Sequence, residues 1–299
     1  MIKQKSFIVG IIMLLFLIVV MVAGPHMPFV DKEIKEETLR MENGFSRAPF
    51  PPSLTQPFEP FGTDMLGRDL FSIIVLGTTE TIFLVFFITV IRYCIAIPLA
   101  FASIKQKGPF FWILNSWNNV FSAIPTIFSA IILMNLPFFM FTQHRAIIVI
   151  VILALIEVGR VGYIIQQEGF LVSNELYVQA GITVGNKPRH LYMNYYLPAL
   201  LPSICTNFFM DLGRVLLLIG QLGLFSIFIE QSWIQLSAAS GELQNISYNW
   251  ASILGETRTT IRKAPWITLF PALAITFAIL CFYFIGEGLR AHFTRKQGV

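Results

Sequence analysis

Charged residues are scarce in this sequence, and that limits what kind of protein it can be. Asp, Glu, Lys and Arg make up 13% of the 299 residues and hydrophobic residues 55%, whereas an ordinary soluble domain carries about 25% charged residues. The three cysteines, Cys94, Cys205 and Cys281, lie within apolar runs and form neither a disulfide framework nor a metal-ligand pair. The sequence predicts an integral membrane protein with no metal site and no affinity for nucleic acid.

Catalytic and nucleotide-binding motifs are also missing. The sequence has no G-x-x-x-x-G-K-[ST] loop to hold ATP phosphates, no H-E-x-x-H and no G-x-S-x-G. Its histidines, His26, His144, His190 and His292, are scattered along the chain. We therefore expect the chain not to be an enzyme and to bind no cofactor of its own.

Six apolar runs are long enough to cross a bilayer, which takes about 20 helical residues: 7–24, 81–104, 120–141, 146–165, 204–229 and 264–286. The first exceeds the apolar core of a cleaved signal peptide, about 7–15 residues, and is predicted to be retained. Residues 110–119 carry Trp112 and Trp117 and are predicted to form an interfacial helix. Pro125 and Pro137 fall inside the third span, where we expect neighbouring helices to satisfy the freed carbonyls.

The runs divide the chain into a first span with a short N-terminus (1–24), a loop with a pre-span helix (25–80), a five-helix core (81–290) and a tail (291–299). Within the core lie a cytoplasmic loop at 166–198 and an extracytoplasmic segment at 230–263. The sequence suggests no role for residues 230–249 of that segment. Residues 25–62 are charged and then proline-rich, which favours a flexible extracytoplasmic linker.

Six crossings place both termini on one side of the membrane. Lys and Arg are equally numerous in the segments of the two sides. Those on the side of the termini lie close to span ends, where the positive-inside rule is strongest. Cytoplasmic termini are therefore predicted.

A polar motif precedes the second span: Gly62, Thr63, Asp64, Gly67, Arg68 and Asp69. Thr and Asp side chains can accept hydrogen bonds from free N–H groups at a helix start, and the glycines permit tight turns. Leu70 to Leu76 is then predicted as a short helix leading into the span. Capping is the favoured interpretation; a metal site on Asp64 and Asp69 has no further ligands to support it.

A second polar stretch separates the fourth and fifth spans: Tyr177, Val178, Gln179, Ala180 and Gly181, then Gly185, then Leu197 and Pro198. Gly185 with Asn186 can end a short helix, and Pro188 prevents its continuation. Small residues on such a helix would allow another surface to approach its backbone closely, as in a helix that fills a groove on a partner.

These two motifs, in this order, resemble those of ABC importer permeases of the dipeptide/oligopeptide/nickel branch, in particular the second (C-type) permease subunit. The second stretch resembles the family's E-A-A…G…L-P loop, with Gln179 in place of the usual Glu and Gly181 in place of the second Ala. The closing segment, with A-P-W at 264–266, F-P at 270–271 and G-E-G-L-R at 286–290, is also similar. The resemblance covers residues 61–290.

The resemblance implies an all-α bundle of six transmembrane helices of the type I importer kind, in the bacterial inner membrane. It implies that residues 177–198 form a coupling loop that docks on an ATPase; we call these residues the coupling segment. The expected partners are a homologous permease, two ABC ATPase subunits that hold ATP–Mg, and an extracytoplasmic substrate-binding protein. Short peptides are the implied cargo, with nickel or a metal chelate as the alternative. A secondary transporter and a membrane-anchored assembly protein remain alternatives from other classes.

Five charged residues lie within the predicted spans: Arg92, Glu157, Arg160, Asp211 and Arg214. Each would cost at least ~2.5 kcal/mol at the centre of a lipid-facing helix, so each should face protein or water. Spacings of three residues allow local pairing of Glu157 with Arg160 and of Asp211 with Arg214. Arg92 has no local partner. Two interpretations stay open: mutual neutralisation, or a polar lining of the translocation path.

Overall fold

The computed structural model describes residues 2–40, 46–55, 57–140, 142, 144–237 and 240–296, and most of them are helical. Five helical segments in this part of the chain are long and apolar enough to cross a membrane, and the number rises to six if one bent pair of helices counts as a single span. The predicted all-α fold with six crossings is confirmed on that count. Residues 297–299 of the predicted tail lie outside the described residues.

The crossings are formed by long helices whose lengths come from runs of Leu, Ile, Val and Phe. They are α1 (Ile2–Ala23), α2 (Leu70–Ala102), the consecutive pair α6 (Arg145–Ile156) and α7 (Val158–Ser173), α10 (Leu197–Leu224) and α13 (Trp266–Lys296). Several extend beyond the predicted spans, since α2 begins at Leu70 and α10 at Leu197. The separate helix predicted at 70–76 is the first part of α2.

The third crossing differs from the prediction. Instead of an interfacial helix at 110–119 and a continuous span at 120–141, the chain forms α3 (Pro109–Ser122) and α4 (Thr126–Met134), bent by 95° at the break between them. A short α5 (Pro137–Met140) follows. Proline lacks an N–H and disfavours helical geometry in the residue before it. Pro125 and Pro137 therefore stand at helix starts rather than inside one span.

The chain divides into two compact units. One comprises Met1–Gly10, Phe86–Leu212 and Phe282–Val299, and the other comprises Ile11–Val85 and Gly213–Cys281. Both chain ends and the predicted coupling segment belong to the first unit. The long loop before α2 and the segment at 230–263 belong to the second.

The first unit is built around close helix contacts at glycines. A Cβ on Gly159 would lie 2.6 Å from the backbone nitrogen of Asn118, which shows how tightly α7 meets α3. The indole of Trp117 donates to the carbonyl of Leu155 at 3.0 Å in the same region. A buried cluster continues along α2, α7 and α10: Tyr93, Ala96, Ala100, Ile104, Val158, Val161, Ile165, Val178, Tyr196, Leu200 and Ile204. Val178 connects the coupling segment to this core.

The second unit contains most of the non-helical chain. The described part of the loop before α2 is packed rather than linker-like, since Val30, Ile34 and Phe50 are buried, and it holds a two-stranded ladder, β1 (Leu39–Arg40) with β2 (Ser46–Arg47). This corrects the expectation of a flexible linker. The guanidinium of Arg40 pairs with Glu59 and lies 4.0 Å above the Phe50 ring.

The segment at 230–263 forms a hairpin that the sequence did not predict. Strand β3 (Gln231–Ser237) pairs with β4 (Ser240–Asn245) in antiparallel register, with an irregularity between Gln235 and Ser237. Two short helices follow, α11 (Trp250–Ile253) and α12 (Thr257–Thr260). Trp250 is buried and its indole donates to the carbonyl of Ile74 at 2.9 Å, so the end of this segment is fixed to the start of α2.

Candidate functional site

The coupling segment is a short helix with a defined end. Helix α8 (Leu176–Thr183) is followed by Gly185 at φ +86°. The N–H of Asn186 donates to the carbonyl of Gly181 at 3.2 Å, and the N–H of Gly185 donates to that of Ile182 at 2.9 Å. This is the Schellman arrangement, which places glycine in the left-handed conformation after the helix. The predicted stop at Gly185 and Asn186 is confirmed.

The chain then returns through α9 (Pro188–Leu191) and a π-helical turn, Tyr192–Tyr196, into α10. Leu197 and Pro198 form the first turn of α10. Single π turns inside helices are rare and recur at functional sites. Here the turn places Tyr195 beside α8: its ring stacks on Tyr177, and its hydroxyl accepts from the Asn186 side chain at 3.3 Å.

The residues of α8 divide into an inner and an outer face. Val178 and Gly181 are buried, and a Cβ on Gly181 would lie 3.1 Å from Tyr195. Gly181 therefore allows the loop to pack on itself, which differs from the expectation that it is offered to a partner. The outer face carries Ala180 and exposed apolar side chains, which are Leu176, Tyr177, Ile182 and Val184.

Gln179 has a structural contact of its own. Its side-chain amide donates to the carbonyl of Ser173 at 2.7 Å, at the end of α7. The last carbonyls of a helix lack partners within it, so Gln179 fills one of these positions while its side chain remains exposed. This contact was not apparent from the sequence.

The motif before the second span folds into a compact turn that ends in a helix cap. Both carboxylate oxygens of Asp69 receive N–H groups from the first turn of α2, from Phe71 at 3.2 Å and Ser72 at 3.0 Å. Capping by Asp69 is thus confirmed. Burial raises the pKa of Asp69, against the opposing effect of its hydrogen bonds with Ser72 and Phe71.

Asp64 and Thr63 do not cap a helix, which corrects the capping interpretation for these two residues. Asp64 accepts from the backbone N–H groups of Leu66 and Arg68 and pairs with the Arg68 guanidinium at 2.6 Å. Thr63 accepts from the N–H of Phe50 at 2.7 Å. Gly62 and Gly67 occupy the left-handed region, with φ of +73° and +76°, as the predicted tight turns require.

Four of the five intramembrane charges come together in the first unit. Arg92 Nη1 lies 2.9 Å from Glu157 Oε2 and 2.8 Å from Asp211 Oδ2. Arg160 Nη2 lies 2.8 Å from Glu157 Oε2 and 2.6 Å from Asp211 Oδ1. Each arginine thus contacts both carboxylates. We call these four residues the charge cluster.

The cluster joins α2, α7 and α10 and includes Glu157, which occupies the break between α6 and α7. The hydroxyl of Thr126 donates to Glu157 Oε1 at 3.2 Å, so the start of α4 is also attached. Arg92 further donates to the carbonyl of Leu153 at 3.0 Å.

The spacing of the charged residues in the sequence identified only one contact of this cluster. The predicted contact between Glu157 and Arg160 is present. Arg92, which has no local partner in the sequence, is neutralised by residues 65 and 119 positions away. Arg214 is not one of the four cluster residues and belongs to the other unit. Its predicted local pairing with Asp211 stays a prediction. Whether these residues line a path remains a prediction.

Comparison with known families decides what kind of membrane protein this is. Residues 93–299 match the family described as the inner membrane component of binding-protein-dependent transport systems. The chain belongs to this family. It is therefore a multi-pass permease of an ABC importer in the inner membrane, a transport component that works with ATPase partners.

Two curated proteins show how far the similarity of the permease extends. The oligopeptide transport system permease OppC of Haemophilus influenzae is 24% identical over 289 residues, covering 96% of this chain and 84% of that protein. The glutathione transport system permease GsiD of Escherichia coli is 24% identical over 230 residues, covering 77% and 70%. The first alignment includes the coupling segment, the motif before α2 and the charge cluster.

No metal site accompanies these features in the described part of the permease. Among those residues, no group of three His, Cys, Asp or Glu side chains is placed to hold an ion. Asp64 instead accepts from N–H groups of its own loop, and Asp69 accepts from N–H groups in the first turn of α2.

Proposed function

We propose that this permease forms, with a homologous permease, the translocation path for short peptides. The names of the two relatives support the cargo, since one specifies oligopeptides and the other glutathione, itself a short peptide. Neither name specifies nickel or a chelate, which keeps metal cargo as an outcome to be tested.

Helix α8 is the observation that carries the mechanism. It is short, ends in a fixed turn, and exposes Leu176, Ile182 and Val184, with the first and last 86% and 82% exposed. Apolar side chains at such exposure on a membrane-protein loop are best explained by a partner that covers them. An amphipathic helix lying in a groove is a recurring recognition mode, and the partner in this proposal is one of two ABC ATPase subunits.

In this scheme, ATP–Mg binds to the two ATPases and this chain binds no cofactor. Closure of the ATPases on ATP moves α8, and the π turn at Tyr192–Tyr196 passes the movement into α10. The two permeases then alternate between outward-facing and inward-facing states, as in other closures driven by ligand binding. A binding protein delivers peptide from the extracytoplasmic side, and the termini lie in the cytoplasm.

Reconstitution tests the proposal. Liposomes containing this permease, its homologous partner and both ATPases are supplied with the binding protein and labelled peptide. We expect uptake that requires ATP and is lost when either permease or the ATPases are omitted. Uptake by this chain alone would indicate a secondary transporter instead. Uptake of nickel without peptide uptake would indicate the metal branch.

A further inference from the structure

The charge cluster has a buried side and an open side. The side chains of Arg92 and Asp211 are 0% and 1% exposed. Those of Arg160 and Glu157 are 28% and 14% exposed. The four charges neutralise each other, but two of them are accessible from outside the unit.

This open side does not suit a lipid environment. Taking α6 and α7 together, Arg160 lies roughly 20 Å along the helix from either end, at about 1.5 Å per residue. The segment is long and apolar enough to cross a membrane. A guanidinium at that depth is costly in lipid and is found facing a protein partner or a water-filled cavity. Arg160 therefore faces either the partner permease or the translocation path.

The hydrogen bonds of the cluster determine which ligand it can accept. Arg160 uses Nη2 for both of its contacts, and its Nε and Nη1 donate to no group in the described part of the chain. Glu157 Oε2 already accepts from both arginines and Oε1 accepts from Thr126. Both oxygens of Asp211 accept as well. The open side therefore has donors to spare, whereas each carboxylate oxygen is engaged.

We propose that Arg160 binds the C-terminal carboxylate of a peptide as it passes through the permease, and so acts as a specificity-determining residue. This inference rests on the proposed peptide import. A planar guanidinium with free N–H groups matches a carboxylate, and such charge-assisted bonds are about twice as strong as neutral ones. The ammonium end of a peptide is disfavoured at the same place, because it would meet a guanidinium and oxygens that are already bonded.

The experiment compares two probes that differ only at this end, trialanine and trialanine C-terminal amide. Uptake of each is measured in liposomes with the complete importer, containing either the natural permease, Arg160→Gln or Arg160→Lys. Arg160→Lys retains the positive charge between the two carboxylates but loses the planar fork. Because the binding protein is the same throughout, a change in the acid-to-amide ratio reports on the permease alone.

We expect both variants to lower the uptake of trialanine about tenfold while the uptake of the amide stays unchanged. The comparator is Arg92→Gln on the buried side of the cluster. It should lower the uptake of both probes equally, because it changes folding rather than recognition. Assembly with the partner permease and the ATPases is measured by co-purification for every variant.

Three results would overturn the inference. An unchanged acid-to-amide ratio in assembled importers that carry Arg160→Gln or Arg160→Lys would show that Arg160 does not contact the carboxylate. Equal losses of both probes would show a structural role. Loss of the partner permease from the Arg160→Lys complex would show that the free donors serve the permease interface. If the natural importer takes up neither probe, the proposed peptide import itself fails. That outcome is distinct from a failure of the role proposed for Arg160.

Discussion

The ring of Tyr195 stacks on the ring of Tyr177, with centroids 6.2 Å apart and planes 10° apart. Tyr177 lies in the first turn of α8, and Tyr195 lies in the π turn that leads into α10. The same ring covers Gly181 and contacts His190 edge-on at 6.1 Å. Helix α8, which we propose meets the ATPase, and the membrane-crossing helix α10 are therefore connected through one side chain.

Replacing this ring should uncouple ATP hydrolysis from transport. Tyr195→Ala removes the stacking, and aromatic pairs contribute about 0.5–1.5 kcal/mol beyond their buried area. We expect uptake to fall up to about tenfold while the ATPases still bind and hydrolyse ATP. Tyr195→Phe is the control, because it loses only the hydrogen bond from Asn186. Uptake and hydrolysis are measured in the same liposomes; equal behaviour of the two variants would contradict the role of the ring.

Gly185 should be sensitive to substitution because of its backbone rather than its surroundings. Its φ is +86° and a Cβ there would meet nothing within 4 Å. Left-handed geometry costs an ordinary residue about 1–2 kcal/mol, and Asn tolerates it better. We expect Gly185→Ala to increase protease cleavage between α8 and α9, and Gly185→Asn to do so much less. Equal cleavage of Gly185→Ala and the natural permease would show that the turn does not hold the helix end.

Val184 provides the direct test of docking, because substitutions at Gly181 would first disturb the loop itself. Its side chain is 82% exposed, so Val184→Glu should leave insertion unchanged and weaken ATPase binding by placing a charge in an apolar contact. Lys107→Glu, also exposed and outside the coupling segment, is the control. The measurement is the amount of ATPase that co-purifies with the permease; normal recovery with Val184→Glu would argue against docking through this face.

Asp69 should make stability depend on pH. Its pKa is raised by burial above the ordinary value of 3.8, so the folded protein holds the proton more tightly than the unfolded chain does. The contribution of this proton to the free energy of unfolding is present at pH below 3.8 and is lost as pH rises through the raised pKa. Asp69→Asn keeps an acceptor for the cap and removes the titration. We expect the difference in Tm between the natural permease and Asp69→Asn to shrink as pH falls; a constant difference would contradict this.

Local rules were enough to locate the segments whose geometry depends on nearby residues. The Asp69 cap and the Gly185 helix stop depend on side chains within a few positions, so the sequence shows them directly. The membrane spans follow from apolar length. The 95° bend after α3 does not follow from the sequence, because a proline such as Pro125 is tolerated inside a span as well as directly before a helix, where it stands here.

Contacts between distant parts of the chain could not be found in the same way. Arg92 has no neighbour in sequence to pair with, and its partners lie on helices whose packing the sequence does not reveal. Gly181 shows the same limit: a small residue can admit a partner or the chain's own Tyr195, and only the fold distinguishes these. The hairpin at β3 and β4 lacks the Asn-Gly or Asp-Gly signal that short hairpin turns usually show.

The buried side of the charge cluster should behave as an energetic unit. Arg92→Gln leaves the cluster with one excess negative charge, and Asp211→Asn leaves one excess positive charge, both at side chains at most 1% exposed. Removing one partner of a buried ion pair costs about 3–5 kcal/mol. The double variant restores neutrality, with Glu157 and Arg160 still paired at 2.8 Å. We therefore expect each single variant to lower the Tm of the detergent-purified permease clearly, and the double variant to lower it by less than the sum of the two.

Arg160→Gln should have a smaller effect, because its side chain is 28% exposed and water can compensate part of the loss. Strictly additive losses in the double variant would mean that Arg92 and Asp211 contribute independently, and that the cluster is not a unit.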